Sequence, residues 1–236
     1  MALPKMNTAV YSVEIPSTGQ HVTFRPFLVR EQKALLLAQQ SDDAKTQVAT
    51  LKEVIKSCVQ ETINLDDLAL FDVEYLFTQI RAKSVGETVE LIFNCQHCKE
   101  EKNSYKMSID LTTIPIIRDP NHTNKIHLFG EVGVIMKYPN LETFKKAEGN
   151  MQDINAIMDV VIDCIQSVYS SDEVFHAKDQ TRKELEDFVM NLTKEQFDKI
   201  EKFFTTVPKF TKEVEFDCPA CGAHNETTLE GLQSFF

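Results

Sequence analysis

Two Cys-x-x-Cys turns, Cys95-Gln96-His97-Cys98 and Cys218-Pro219-Ala220-Cys221, stand 119 residues apart, with residues 99 to 217 between them. The two-residue gap lets both thiolates of one turn reach a single ion, and amides in the turn can donate to the sulfurs. Two such turns supply the four soft ligands that Zn²⁺ takes in a tetrahedron. Compact ribbons place the second pair within about 15–20 residues of the first. Here a shared ion would instead staple the middle of the chain to its end. A site of four cysteines leaves no open position for water, so the expected Zn²⁺ is structural. Gly222 directly after Cys221 suits a turn that needs positive φ. A second arrangement has two sites, each completed by a histidine, His97 or His224. His97 lies between its own cysteines and would strain to reach their ion, which favours the shared site of Cys95, Cys98, Cys218 and Cys221.

The other two cysteines, Cys58 and Cys164, fall on apolar faces of predicted helices, where a free thiol acts as a small buried hydrophobe. The start MALPKMNTAVYSVEIP has no basic segment followed by an apolar one, so no secretory signal is read, and thiols are expected to stay reduced.

Each turn closes a stretch of similar order. In the first, TAVYSVEI and HVTFRPF flank the turn PSTG and read as a β-hairpin, and LVREQKALLLAQQ reads as a helix. Val48, Leu51, Ile55, Cys58 and Val59 then share a helical stripe, and Leu68, Phe71, Val73, Leu76, Phe77 and Ile80 fill an apolar helix. Alternation in TVELIFN and SYKMSIDL puts the first cysteine turn at a hairpin tip. Pro115 and Pro120 mark a linker. After it come a short hairpin in KIHLFGEVGVIMKYP, a short helix in LETFKKAEG, and a helix from INAIMDVVIDCIQSVY with Ile154, Ile157, Val161, Cys164, Ile165 and Val168 on one face. Thr181 with Glu184 and Thr193 with Gln196 fit capping boxes that start two further helices. KEVEFDC leads into the second turn, and AHNETTLEG returns as a strand. The expected fold is α+β, with two pseudo-repeated halves, 1–113 and 125–236, joined by the linker 114–124 and the zinc site, packing as one compact unit.

Several function classes are disfavoured. A net charge of −11 without a basic block argues against nucleic acid, where binding draws on lysine and arginine displacing counterions. No apolar run approaches the roughly 18 residues of a membrane span. With seven glycines the chain carries no phosphate-cradling loop and no nucleophile elbow. His224-Asn225-Glu226 follows its cysteine pair, whereas zinc deaminases place His-x-Glu before it. His21, His122, His127 and His176 are scattered without ligand spacing. The expectation is therefore a non-enzyme with no small-molecule substrate. A zinc-ribbon accessory protein for nucleic acid or transcription is the alternative. It would need basic and aromatic flanks, and Asp217 and Glu226 beside the second turn are acidic. The apolar end LQSFF, with Leu232, Phe235 and Phe236, has two readings: it packs on the chain's own core, or it is a partner-binding segment.

Three stretches, VTFRPFLVREQKALLLA, VELIFNCQHC and VEFDCPACG, resemble the T4-type bacteriophage baseplate hub assembly family, and the resemblance runs from about Val10 to Gly231. It implies a tail-morphogenesis role in which the chain helps assemble the baseplate hub, as a chaperone-like factor or a minor component. The implied partners are other tail baseplate or hub proteins. The implied setting is the host cytoplasm during assembly, or the virion tail. It carries over no catalytic residue.

Overall fold

Alternating apolar residues build the first hairpin. In strands β1 (Tyr11–Glu14) and β2 (His21–Phe24), Val13 pairs with Val22 and Tyr11 with Phe24, and the side holding Val13, Val22 and Phe24 is buried. The computed structural model, which describes residues 7–41, 43–98, 104–143 and 153–231, joins this hairpin to three helices. They are α1 (Val29–Gln39), α2 (Ala44–Cys58) and α3 (Leu70–Val85). Asp43 caps α2 by accepting from the N–H groups of Lys45 and Thr46. The apolar α3 buries Phe71, Val73, Leu76, Phe77 and Ile80, in agreement with its sequence pattern. At its start the buried Asp72 accepts from the N–H and hydroxyl of Ser17, which ties the first hairpin turn to the helix.

The FRPFLVRE stretch has a specific job in this arrangement. Glu31 is buried in α1 and accepts from Arg25 Nη2 at 2.9 Å, Arg30 Nε at 2.7 Å and the Leu28 N–H at 2.7 Å. Burial alone would raise its carboxyl, but these donors outweigh it and hold the group down at about 2. One carboxylate thus fixes the strand-to-helix corner.

Two compact units emerge. One gathers Met1–Leu65, Phe71–Ile117 and Lys209–Phe236, and the other Asp66–Leu70 with Arg118–Pro208. Packing therefore divides the chain differently from element order, because the C-terminal hairpin belongs with the first unit. That unit also holds β3 (Thr88–Asn94), β4 (Ser104–Asp110), β5 (Ile116–Ile117), β10 (Lys209–Asp217) and β11 (His224–Glu230). The segment read as a linker contributes β5, which pairs with Lys209 and Phe210 at the start of β10. Ile114 beside Pro115 is buried, so part of that segment is anchored by its isoleucines.

In the second unit, β6 (Lys125–Phe129), β7 (Val132–Met136), β8 (Ile165–Tyr169) and β9 (Val174–His176) form an antiparallel meander. It packs with α4 (Ile154–Asp163), α5 (Arg182–Met190) and α6 (Lys194–Thr206) around Leu128, Val134, Met136, Ile165, Ile200 and Phe203. Both capping boxes form as the sequence predicts: Glu184 and Gln196 accept from the N–H groups of Thr181 and Thr193 at 2.7 and 2.8 Å. Gly133 lies where a Cβ would stand 2.4 Å from the Ile126 carbonyl oxygen, so only glycine fits this β6–β7 approach.

One predicted helix is shorter than its pattern. INAIMDVVIDCIQSVY does not stay helical: α4 ends at Asp163, Cys164 caps it, and Ile165–Tyr169 is strand β8. Ile165 and Ser167 point inward at a period of two, and β8 pairs with β7 from Ile165 to Tyr169. A neighbouring strand with a free edge overrides an apolar run that fits either period. The short helix expected in LETFKKAEG begins at Leu141, capped by Asn140 accepting from Thr143, and then leaves the described residues. Leu232, Phe235 and Phe236 also lie outside them.

Candidate metal centre

Each cysteine turn sits at the tip of a fully paired hairpin. β3 and β4 pair from Thr88↔Asp110 to Asn94↔Ser104, and β10 and β11 from Thr211↔Glu230 to Asp217↔His224. In the second tip, the Cys218 N–H donates to Ala223 O and the Gly222 N–H to Cys218 O, each at 2.9 Å. Gly222 has φ +71° with open space around it, so the backbone conformation rather than crowding calls for glycine.

The tips meet. Cys95 Sγ lies 3.8 Å from Cys221 Sγ, Cys98 Sγ lies 3.8 Å from Cys218 Sγ, and all four sulfurs fall within 4.8 Å of one another. The first cysteine of one turn faces the second of the other, as in a two-fold arrangement. Four sulfurs held about 2.3 Å from a central ion in a tetrahedron stand about 3.8 Å apart. A disulfide needs about 2.05 Å, and all six cysteines are free thiols. The spacing suits a shared ion and no cross-link.

The turns also treat their sulfurs alike. His97 N–H donates to Cys95 Sγ at 3.3 Å, and Ala220 N–H donates to Cys218 Sγ at 3.4 Å. Burial works to raise the Cys95 thiol, but the N–H groups of His97 and Cys98 and the Asn225 side chain outweigh it and bring it down to about 6. At Cys221 the Ala223 N–H favours the thiolate, yet desolvation and the sulfurs of Cys218 and Cys95 prevail and raise it. One thiolate is easy to form here, and a second beside it is not. Four together need a cation, because like charges this close disfavour one another. The donor set therefore fits a soft divalent metal with four thiolate ligands.

Asn225 was not legible as a site residue. It is buried between the turns, accepts from the Gln96 N–H at 3.0 Å and donates to Ala223 O at 2.8 Å, so one amide bridges both tips. Its only sequence signal is a polar residue at an inward position of an otherwise alternating strand, paired with Phe216. Beneath the sulfurs, Phe93 and Phe216 stand two residues before the first cysteine of each turn, with ring centres 5.7 Å apart, and Tyr105 stacks on Phe216 at 5.4 Å. These rings join the hairpins below the four sulfurs.

The histidines take no part. His97 is exposed, and His224 Nδ1 pairs with Asp217 at 2.9 Å, which raises its pKa. His122 packs between Tyr138 and Phe203 and bonds Thr206 Oγ1 through Nδ1 at 2.9 Å, with burial lowering its pKa. Among the described residues, the four cysteines are the one group of histidine, cysteine or carboxylate side chains close enough to hold an ion. Cys58 and Cys164 are buried core residues, as expected.

Sequence comparison with known proteins covers nearly the full chain. Baseplate hub assembly protein gp26 of Enterobacteria phage T4 is 24% identical over 237 residues, covering 96% of this chain and 97% of that protein. No solved structure matches. The family profile described as T4 bacteriophage base plate protein matches residues 6–236, and that family comprises baseplate proteins rather than enzymes. The match takes in both cysteine turns and spans nearly every residue, so the chain belongs to the T4 bacteriophage base plate protein family.

Proposed function

We propose that this protein acts without catalysis in assembling the hub of a phage tail baseplate, as a chaperone-like factor or a minor component, and that Cys95, Cys98, Cys218 and Cys221 hold one structural Zn²⁺. The observation that supports the role is the near full-length similarity to a baseplate hub assembly protein. The zinc reading rests on two sulfur pairs at 3.8 Å, the edge of a zinc–thiolate tetrahedron. Bound zinc would supply four bonds that close the chain from Cys95 to Cys221. The protein's own part is to aim N–H groups at Cys95 and Cys218 and to brace the tips through Asn225.

The partners on this reading are other baseplate or hub proteins, met in the host cytoplasm during assembly and then at the tail baseplate. A nucleic-acid role gains no support: the outer face of β10–β11 carries Glu213, Glu215, Asp217 and Glu226. Residues 1–113 and 125–236 each open on a hairpin, pass through helices and end on a cysteine-tipped hairpin, with β8 and β9 extra in the second. Together with the crossed cysteine pairs this supports an internal duplication. We read the end segment Leu232, Phe235 and Phe236 as a docking tail. Deleting 232–236 should weaken partner binding and leave zinc content intact, and loss of soluble protein would place it in the core instead.

Co-purification tests the role. The tagged chain, recovered from infected cells, should bring down hub proteins, and its absence from every tail intermediate would overturn the assembly reading.

A further inference from the structure

Helix α1 is built inside out. It buries Glu31 and Ala38 and turns Val29, Leu36 and Leu37 to solvent at 81%, 53% and 58% exposure. At 100° per residue, positions 29, 33, 36, 37 and 40 share one face, so these three aliphatic side chains form a stripe two turns long with Lys33 in its middle. Arg30 lies beside Leu37 on the same flank with 71% of its side chain exposed. The sole acidic residue of the helix, Glu31, is turned inward and already bound to Arg25 and Arg30. The stripe is therefore apolar with a basic edge, on a chain whose net charge is −11.

That charge pattern selects the occupant. A second copy of the chain, pairing its α1 about a two-fold axis through the stripe, would set Lys33 against Lys33, and like charges that close oppose docking. A partner helix whose own apolar stripe is edged by carboxylates removes that opposition: leucines cover leucines, and its acids reach Lys33 and Arg30.

We propose that Val29, Leu36 and Leu37 dock an amphipathic, acid-edged helix of a different protein, with Lys33 and Arg30 setting its register. The chemistry of the surface stands whether or not that protein belongs to a baseplate.

The test places a photo-crosslinking phenylalanine analogue at position 37 of the full chain in infected cells, with the adduct peptide identified by mass spectrometry. Position 53, an exposed residue of α2, serves as the control. The expected adduct is a peptide of another protein with apolar residues at helical spacing and Asp or Glu beside them. Lys33→Glu should cut its yield roughly five-fold by reversing one charge at the contact. An adduct with a second copy of this chain, with a peptide lacking carboxylates, or no adduct above the control overturns the proposal. An acid-edged helix from a protein outside the baseplate keeps the docking surface and removes the assembly reading.

Discussion

The four cysteines at the hairpin tips and the two in the helical regions carry the same thiol in opposite surroundings. At the tips, backbone N–H groups point at sulfur, and Cys95 is held down at about 6 despite its burial. In the cores desolvation prevails: it raises Cys58 against the opposing charge of Arg25, whose Nη1 lies 3.9 Å from the sulfur, and pushes Cys164, in an apolar cluster, up to about 12. Burial alone does not distinguish the sets, since Cys95, Cys218, Cys58 and Cys164 are all buried. What separates a ligand from a core residue is the direction of nearby N–H groups and the presence of other sulfurs.

Substitutions should split along the same line. Cys218→Ser removes one of the four sulfurs and leaves three without their cation. We expect zinc loss and a Tm lower by about 10 °C or more, read by calorimetry with metal analysis. Cys164→Ala should cost about 1–2 kcal/mol through lost packing and keep all the zinc. A variant at Cys164 that also sheds metal would erase the distinction. Gly222→Ala, at φ +71°, should cost about 1 kcal/mol in chemical denaturation and loosen zinc without abolishing it.

The smallest effect is in the pH dependence of the metal-free protein. Cys95 has a folded pKa near 6 against an ordinary value of 9.0, so its contribution is full above pH 9 and is lost as pH falls towards 6. Cys164 has the opposite sign. Its thiol ionises in the unfolded chain near 9 and in the folded chain only near 12, so stability falls as pH rises through that window. Cys95→Ser should flatten the lower limb alone, and Cys164→Ala the upper limb alone, in denaturant titrations across pH.

Local chemistry was the legible part of this chain. The turns at 95–98 and 218–221, their hairpins and the capping boxes at Thr181 and Thr193 depend on residues a few positions apart, and the structure forms each of them. What depends on a distant neighbour was not legible. Residues 165–169 fit a helical stripe until β7 offers a strand edge. The isoleucines of β5 look like linker until β10 pairs with them. Asn225 is an unremarked polar residue until Gln96, far away in the chain, donates to it. In α1 the helix was legible but its facing was not: Glu31, bound to Arg25, and Ala38 take the inward side, and Leu36 and Leu37 stay outside.

Zinc per chain, counted on purified wild-type protein and on the Cys98→Ser and Cys218→Ser variants, tests the central claim most directly. One shared site predicts one zinc in the wild type and none in either variant. Two zincs lost one at a time, or a wild type that binds none, would contradict it.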